Sequence, residues 1–406
     1  MAVGTAFHPR TEPLNRKLQW REWSGYLAAS AYHDSHEIEY NAIREAAALI
    51  DVSPLYKYLV SGPDSTTLVD RVITRDAGKL AVGRIYYTSW CNEQGRVVDD
   101  GTVARMDEQT YRWTAADPSL RWLRMNASRL DVEIEDASER ISALAVQGPL
   151  SRDVLETATE TSWNDLAYFG RRASRVGRIP VDISRTGYTG DLGYEVWVDS
   201  SDAVELWDAL VRAGRPYGIR PAGMLALDVA RIEAGLILVE VDFDSVRRAL
   251  IPEQSFSPFE LGILGRFVDF GKHAEFVGRR TLEREQARGG APRRLVGLEL
   301  EWNSLEGLYR EKGLMPTLDS AASREPLPLY ARGRQVGKAT STTWSPILKK
   351  VVALASVRAD HSSPGTRIDI EWTVEARRHR TPARVVELPF FNPIRKTSTA
   401  AGSPAQ

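Results

Sequence analysis

Tyr56-Lys57-Tyr58-Leu59-Val60-Ser61-Gly62-Pro63-Asp64 and Ala143-Leu144-Ala145-Val146-Gln147-Gly148-Pro149-Leu150 are two versions of one pattern. Each starts as a strand-like run, turns on Gly-Pro and continues into a helix-like segment. Leu68-Val69 follow Ser61 by seven residues, and Val154-Leu155 follow Gln147 by seven. A Gly-Pro turn after a strand is common in itself. Two copies with matching flanks, 86 residues apart from Ser61 to Gln147, point to two α+β units of related build.

Outward from this echo, Tyr40 to Leu49 is alanine-rich and free of Pro and Gly, so it reads as a helix stopped at Asp51-Val52-Ser53-Pro54. Arg84–Trp90 and Arg96–Met106 read as strands joined by the turn Asn92-Glu93-Gln94-Gly95. Asp202–Ala213 reads as a helix, with Asp202 and Glu205 as a capping box and Gly214 closing it. The run QARGGAPRR, 286–294, has no apolar periodicity and reads as a linker after a two-unit region, 1–285. Short strands between Gly, Pro and Ser turns (Leu295–Leu300, Gln335–Thr343, Lys350–Val357, Thr366–Trp372, Ala383–Glu387) predict an all-β domain over 295–395. Residues 396–406 read as a disordered tail.

The 406 residues carry 53 Lys+Arg against 54 Asp+Glu, and 43% are hydrophobic. That is ordinary globular composition, and its balance argues against nucleic acid as a partner. No apolar run approaches the ~20 residues of a membrane span, and the N-terminus lacks the apolar core of a signal peptide. The single cysteine, Cys91, cannot close an internal disulfide or build a multi-cysteine metal cage. Together these absences suggest the cytoplasm.

Familiar catalytic signatures are missing. The glycines of Arg185-Thr186-Gly187-Tyr188-Thr189-Gly190-Asp191-Leu192-Gly193-Tyr194-Glu195 are spaced G-x-x-G-x-x-G, which is not the dinucleotide fingerprint. Gly333 to Ala339 is not a P-loop, and no G-x-S-x-G elbow occurs. His33, His36, Glu37 and Glu39 at a helix entry read as a solvated surface, so no metal site is expected. Cys91 has no neighbouring base and reads as a small buried residue.

Two carboxylates stand out. Asp99-Asp100 sits mid-strand between Val97-Val98 and Thr102-Val103, where acids are unfavourable. Alternation puts Val98, Asp100 and Thr102 on one face and Val97, Asp99 and Val103 on the other, so one acid only can enter a given pocket. A turn or bulge with a solvated acid is the alternative. Glu195, between Tyr194 and Val196 in an apolar strand, needs donors if buried. The side-by-side amino and ring N–H of a pterin would match it.

Taken in order, these segments resemble the glycine-cleavage T-protein family. The matching blocks are Asp51-Val52-Ser53, Tyr87…Cys91-Asn92-Glu93…Gly95…Asp99-Asp100, Gln147-Gly148-Pro149, Ser184–Gly190 and Gly193-Tyr194-Glu195. Ser257-Pro258-Phe259-Glu260-Leu261-Gly262, Phe276-Val277-Gly278-Arg279 and Thr340-Ser341…Ser345-Pro346 complete the series, and the likeness runs from about Trp23 to Phe390. It implies an α+β cloverleaf of two ferredoxin-like units and a C-terminal barrel or jelly-roll domain around a folate site. It also implies tetrahydrofolate as cofactor, with Asp100 as the catalytic carboxylate and Glu195 gripping the pterin. Tyr87 and Tyr188 would lie beside it, and Leu55, Thr114 and Arg185 fall at further cofactor-binding positions.

Three departures bear on the donor. The family's His-Met after Asp-Val-Ser is Pro54-Leu55, its strand asparagine is Thr114, and its Ala-Arg-Asp helix motif is Ala226-Leu227-Asp228. Three activities stay open. One is aminomethyl transfer from a lipoyl carrier protein, giving 5,10-methylene-tetrahydrofolate and ammonia. A second is tetrahydrofolate-dependent O-, N- or S-demethylation of a small molecule. The third is a non-enzymatic folate-binding iron–sulfur assembly role, for which the Lys-Gly-Cys signature is missing around Cys91.

Overall fold

The structure, a computed structural model, describes residues 1–399. It is an α+β fold of two helix-backed sheets and a closed barrel. The first sheet is antiparallel and runs Ile85–Cys91, Val97–Arg105, Thr110–Ala115, Tyr56–Ser61, Glu133–Asp136. The second runs Arg171–Val176, Ile179–Ser184, Gly193–Asp199, Ile141–Gln147, Ala48–Asp51, Arg220–Pro221. The barrel closes through Arg293–Leu300, Lys350–Arg358, Arg334–Ser345, Leu327–Ala331, Arg367–Val374 and Arg377–Val386.

The two copies of the opening pattern fold alike. Strands Tyr56–Ser61 and Ile141–Gln147 each turn into a helix, Ser65–Val72 and Ser151–Thr159, and Leu68, Val69, Val154 and Leu155 are fully buried. Each turn is built on a left-handed glycine, Gly62 at φ +119° and Gly148 at φ +122°. A side chain on either would meet backbone as well as strain: Asp131 O at 2.7 Å from a Cβ on Gly62, Ala46 O at 2.6 Å from one on Gly148.

The alanine-rich segment departs from its predicted helix. The helix is His36–Glu45, capped by the Ser35 side chain, and Ala48–Asp51 is a strand in the middle of the second sheet. Ala48, Leu49 and Ile50 are buried against both faces, so no alternation marks them as a strand. The second unit therefore takes one strand before the first unit and the rest after it, and the first is nested inside the second. The capping box at Asp202 does not form. Asp199 instead caps a short 3-10 turn, and the helix is Ala203–Gly214.

The barrel contains the five predicted strands plus Leu327–Ala331, and its first strand starts at Arg293, inside the segment read as a linker. Residues 396–399, placed in the disordered tail by sequence, are held in part: Arg185 donates to the carbonyls of Lys396 at 3.1 Å and Ser398 at 2.7 Å. The rest of that tail, 400–406, lies outside the described residues. No helix among the described residues is long and apolar enough to cross a membrane.

The nested architecture rests on the Gly148 turn. Gly148→Ala should lower unfolding free energy by ~2 kcal/mol or more in urea titration, combining positive φ with a backbone clash. Gly177→Ala, at φ +57° with nothing within 4 Å of the new Cβ, should lose roughly 1 kcal/mol. Equal losses would remove the clash from the explanation.

Candidate functional site

Strand parity places the chemistry. In the first sheet Trp113 and Val103 enter the core under the Ser65–Val72 helix, so Arg112, Thr114 and Thr102 lie on the opposite, helix-free face. In the second, Tyr194, Val196 and Val198 pack under Ser151–Thr159 and Ala203–Gly214, so Glu195 and Trp197 lie on the opposite face, part of which is covered by the helices His36–Glu45 and Met224–Glu233. These two faces meet. Arg112, 4% exposed, donates to Asp182 at 2.6 Å and stacks 4.1 Å from the Trp197 ring centroid. Arg171 donates to the other Asp182 oxygen at 2.7 Å. Asp182 is held below the usual carboxylate range because its two arginines outweigh its burial, which alone would raise it.

Asp100 pairs with Ser89 across the ladder and accepts the Tyr87 hydroxyl at 2.5 Å. Asp99, opposite Trp90 on the covered face, is fully buried and accepts the backbone N–H groups of Asp100 at 2.8 Å and Asp117 at 2.9 Å. Alternation thus separates the two acids as the sequence predicts. Val98 is the correction: the register slips at Trp90/Cys91, and this bulge turns Val98 into the core that holds Trp90 and Val103. Burial pushes the Asp100 carboxyl up to about 6, against the lowering hydrogen bond from Tyr87. Asp99 is pushed well up as well, by burial first and then by repulsion from Asp100.

Tyr188 donates to the Ile237 carbonyl, and both Asp100 and the Tyr87 phenol lie near enough to it for their charges to interact. Thr114 shares a 2.6 Å hydroxyl contact with Thr102 on the Asp100 face. Glu195 accepts the Thr186 hydroxyl through Oε2 at 2.6 Å, and Oε1 has no protein hydrogen bond among the described residues. Burial raises its pKa, opposed by Thr186 and the nearby Arg112 charge. The glycine-rich run forms the loop that leads to Glu195. Gln147 stitches it by donating to Thr186 O and Tyr194 O at 3.2 Å each. Cβ atoms on Gly187 or Gly193 would fall within 2.0–2.2 Å of the Gln147 amide oxygen, which explains both glycines.

Leu55 lies, partly buried, in the turn between the strands Ala48–Asp51 and Tyr56–Ser61. Arg185 is not brought to the site. It lies just past the strand Ile179–Ser184, fully buried, and donates to the carbonyls of Leu166, Arg395, Lys396 and Ser398. Glu39 accepts three backbone N–H groups, from Tyr32, His33 and Gly223, so it holds a loop together. Cys91 is buried, and burial pushes its thiol pKa up.

Sequence reasoning missed Arg112 and Lys57. Lys57 is fully buried opposite Thr114, donates to Ser53 O at 2.5 Å, and is lowered by burial to about 8. It also missed the buried network that docks the barrel. Arg231 donates to Asp242 at 2.6 Å, which also accepts Thr340 at 2.6 Å and Ser341 at 2.7 Å, while Glu233 accepts Ser345 at 2.6 Å. The bulge between Ala339 and Ser341 lets adjacent hydroxyls reach one carboxylate.

The family model for the GCVT N-terminal domain matches residues 12–272, and that for the glycine cleavage T-protein C-terminal barrel domain matches 293–392. The chain belongs to the glycine cleavage T-protein family. Within it, an aminomethyltransferase of Shouchella clausii is 36% identical over 87% of this chain and 89% of its own. An aminomethyltransferase of Streptomyces avermitilis is 33% identical over 96% and 99%. A trimethylamine-oxide aldolase of Ruegeria pomeroyi is 34% identical over 97% of this chain, which spans about half of that relative, 47%. The aminomethyltransferase T structure from Bartonella henselae superposes with a TM-score of 0.80 at 22% identity, over 97% of this chain and 99% of that one, which shows the T-protein fold.

The two acids should separate in solution. The fold holds the Asp100 proton more tightly than the unfolded chain does, so its contribution to stability should fall as pH rises from ~4 to about 6 and then level. Asp100→Asn should make this slope shallower in denaturation curves taken across that range, the remainder coming from Asp99 and Glu195. An unchanged slope would place the raised carboxyl elsewhere.

Proposed function

We propose that the protein is a tetrahydrofolate-dependent one-carbon transferase whose catalytic carboxylate is Asp100. The observation that carries this reading is the meeting of two sheet faces, one bearing Asp100 and Tyr87, the other bearing Glu195 with an unused oxygen. A pterin's paired amino and ring N–H suit that free carboxylate oxygen, and the aromatic rings of Tyr87 and Tyr188 suit its flat faces. Bound tetrahydrofolate would supply the nitrogens that take up the one-carbon unit. Asp100, in a partly buried setting with its position fixed by Tyr87, stabilises positive charge developing close to it. It must be ionised to do so, and with burial raising it to about 6 the rate rises with pH through that value.

The donor is read in two ways. Aminomethyl transfer from a lipoyl carrier protein, with release of ammonia, is supported by the two aminomethyltransferase relatives. Demethylation of a small methylated compound is favoured by Leu227, which removes a family cation, and by the trimethylamine-oxide aldolase relative. Incubation with tetrahydrofolate and each donor class, followed by mass analysis of the folate, separates them. A methylene product supports the first, a methyl product the second. Folate binding with no product from any donor would contradict both.

Glu195→Gln should weaken binding of reduced folate at least tenfold in calorimetric titration, since each charge-assisted hydrogen bond contributes ~1.5–3 kcal/mol. Unchanged affinity would remove Glu195 from the site. Asp100→Asn should cut turnover ~100- to 1,000-fold, while Asp99→Asn should act mainly on melting temperature. A dead Asp99→Asn beside a normal Asp100→Asn would reverse the assignment.

A further inference from the structure

Leu227 takes away a positive charge, and the next residue gathers two from elsewhere. Asp228, on the helix Met224–Glu233, has a side chain only 3% exposed. Arg21, from the N-terminal hairpin Trp20–Trp23/Tyr26–Ala29, donates to its Oδ2 through Nη1 at 3.0 Å. Arg324, from the loop before the barrel strand Leu327–Ala331, donates to the same carboxylate through Nε at 3.0 Å and Nη2 at 2.7 Å. Arg231 also touches it, at 3.4 Å, but is matched by its own carboxylate, Asp242 at 2.6 Å.

The charges do not balance. Arg231 and Asp242 cancel, leaving Arg21 and Arg324 on one carboxylate, Asp228, with an excess of one positive charge. Both guanidiniums are partly covered, with side chains 33% and 31% exposed. A cation partly removed from water with no counter-charge is unfavourable, and an anionic ligand would correct it. Among the described residues, Nε and Nη2 of Arg21 and Nη1 of Arg324 have no protein acceptor, so donors remain for such a ligand. The cluster borders the candidate site, because Asp228 and Arg231 both lie near enough to Tyr188 for their charges to act on its phenol.

We propose that Arg21 and Arg324, held on Asp228, form a carboxylate-binding seat on the Tyr188 side of the site, in place of the cation that Leu227 removes. The carboxylate comes from the glutamyl end of the folate or from an acidic one-carbon donor. The proposal rests on the folate reading, deepens it, and assigns a specificity role to the N-terminal hairpin. The free Nε/Nη2 edge of Arg21 and the Nη1 of Arg324 suit a planar carboxylate, which can accept from both at once.

The test compares tetrahydrofolate with tetrahydropteroate, which lacks the glutamyl group, in calorimetric binding to the parent, Arg21→Gln and Arg324→Gln. Arg21→Gln on the hairpin keeps the test open should Arg324→Gln fail to fold. If the folate's carboxylate fills the seat, the parent prefers tetrahydrofolate about tenfold or more, and each variant loses most of that preference while holding tetrahydropteroate as before. If the donor's carboxylate fills it, folate affinities stay put and KM for carboxylate-bearing donors rises about tenfold in both variants, with uncharged donors unaffected. Folded variants that change neither quantity overturn the seat and leave the folate reading intact. Failure of the parent to bind either pterin overturns the folate reading, and the seat with it.

Discussion

Arg112 is the contact on which the arrangement depends. It rises from the open face of one sheet, is almost wholly buried, and ends between Asp182 and Trp197 of the other. A buried guanidinium is stable only with good partners, and here it has the Asp182 carboxylate and an indole face, which act against its burial and the like charge of Arg171. Replacing it by a smaller neutral residue would leave Asp182 with Arg171 alone and an unfilled seam between the sheets. The seam also fixes which faces look at each other, and so which side chains can meet a common ligand. Arg112 further acts on Glu195 through its charge, favouring the ionised carboxylate at the position read as the pterin grip.

Around that seam the duplicated pattern does two jobs. In each copy the strand and helix bury one apolar face of the sheet, and in the second sheet part of the other face packs on the helices His36–Glu45 and Met224–Glu233. The nesting of one unit in the other then brings the opposite faces together without a long linker. The barrel is fixed to the same core by buried polar contacts, with Ser345 on Glu233 and Thr340 and Ser341 on Asp242. Polar docking of this kind is directional. It sets the barrel's orientation more tightly than apolar contact alone, because any shift strands a buried carboxylate. The C-terminal segment adds another tie, with Arg395 donating to Asp191 at 2.6 and 2.8 Å inside the glycine-rich loop.

Much of this was legible in the sequence where local chemistry decides it. The Gly-Pro turns announced the duplication, because Gly62 and Gly148 need a left-handed backbone. Alternation separated Asp99 from Asp100, and five barrel strands showed their own turn residues. What stayed hidden depends on the third dimension. Ala48–Asp51 is buried on both faces and so carries no period. Val98 leaves its expected face because of a bulge that only strand pairing reveals. Arg112 and Lys57 carry no local mark of their burial, and Arg185 read as a ligand contact until its carbonyl partners appeared. Arg21 and Arg324 lie 303 positions apart, and no local pattern joins them to Asp228.

The central claim is that one ligand spans the seam, touching Asp100 on one sheet and Glu195 on the other. The most direct measurement is a crystal structure of the protein soaked with tetrahydrofolate. The pterin ring should lie between the sheets, with its amino group donating to Glu195 Oε1 and its reacting nitrogens beside the Asp100–Tyr87 pair. A pterin seated away from the seam, or one that contacts a single sheet, would contradict the claim.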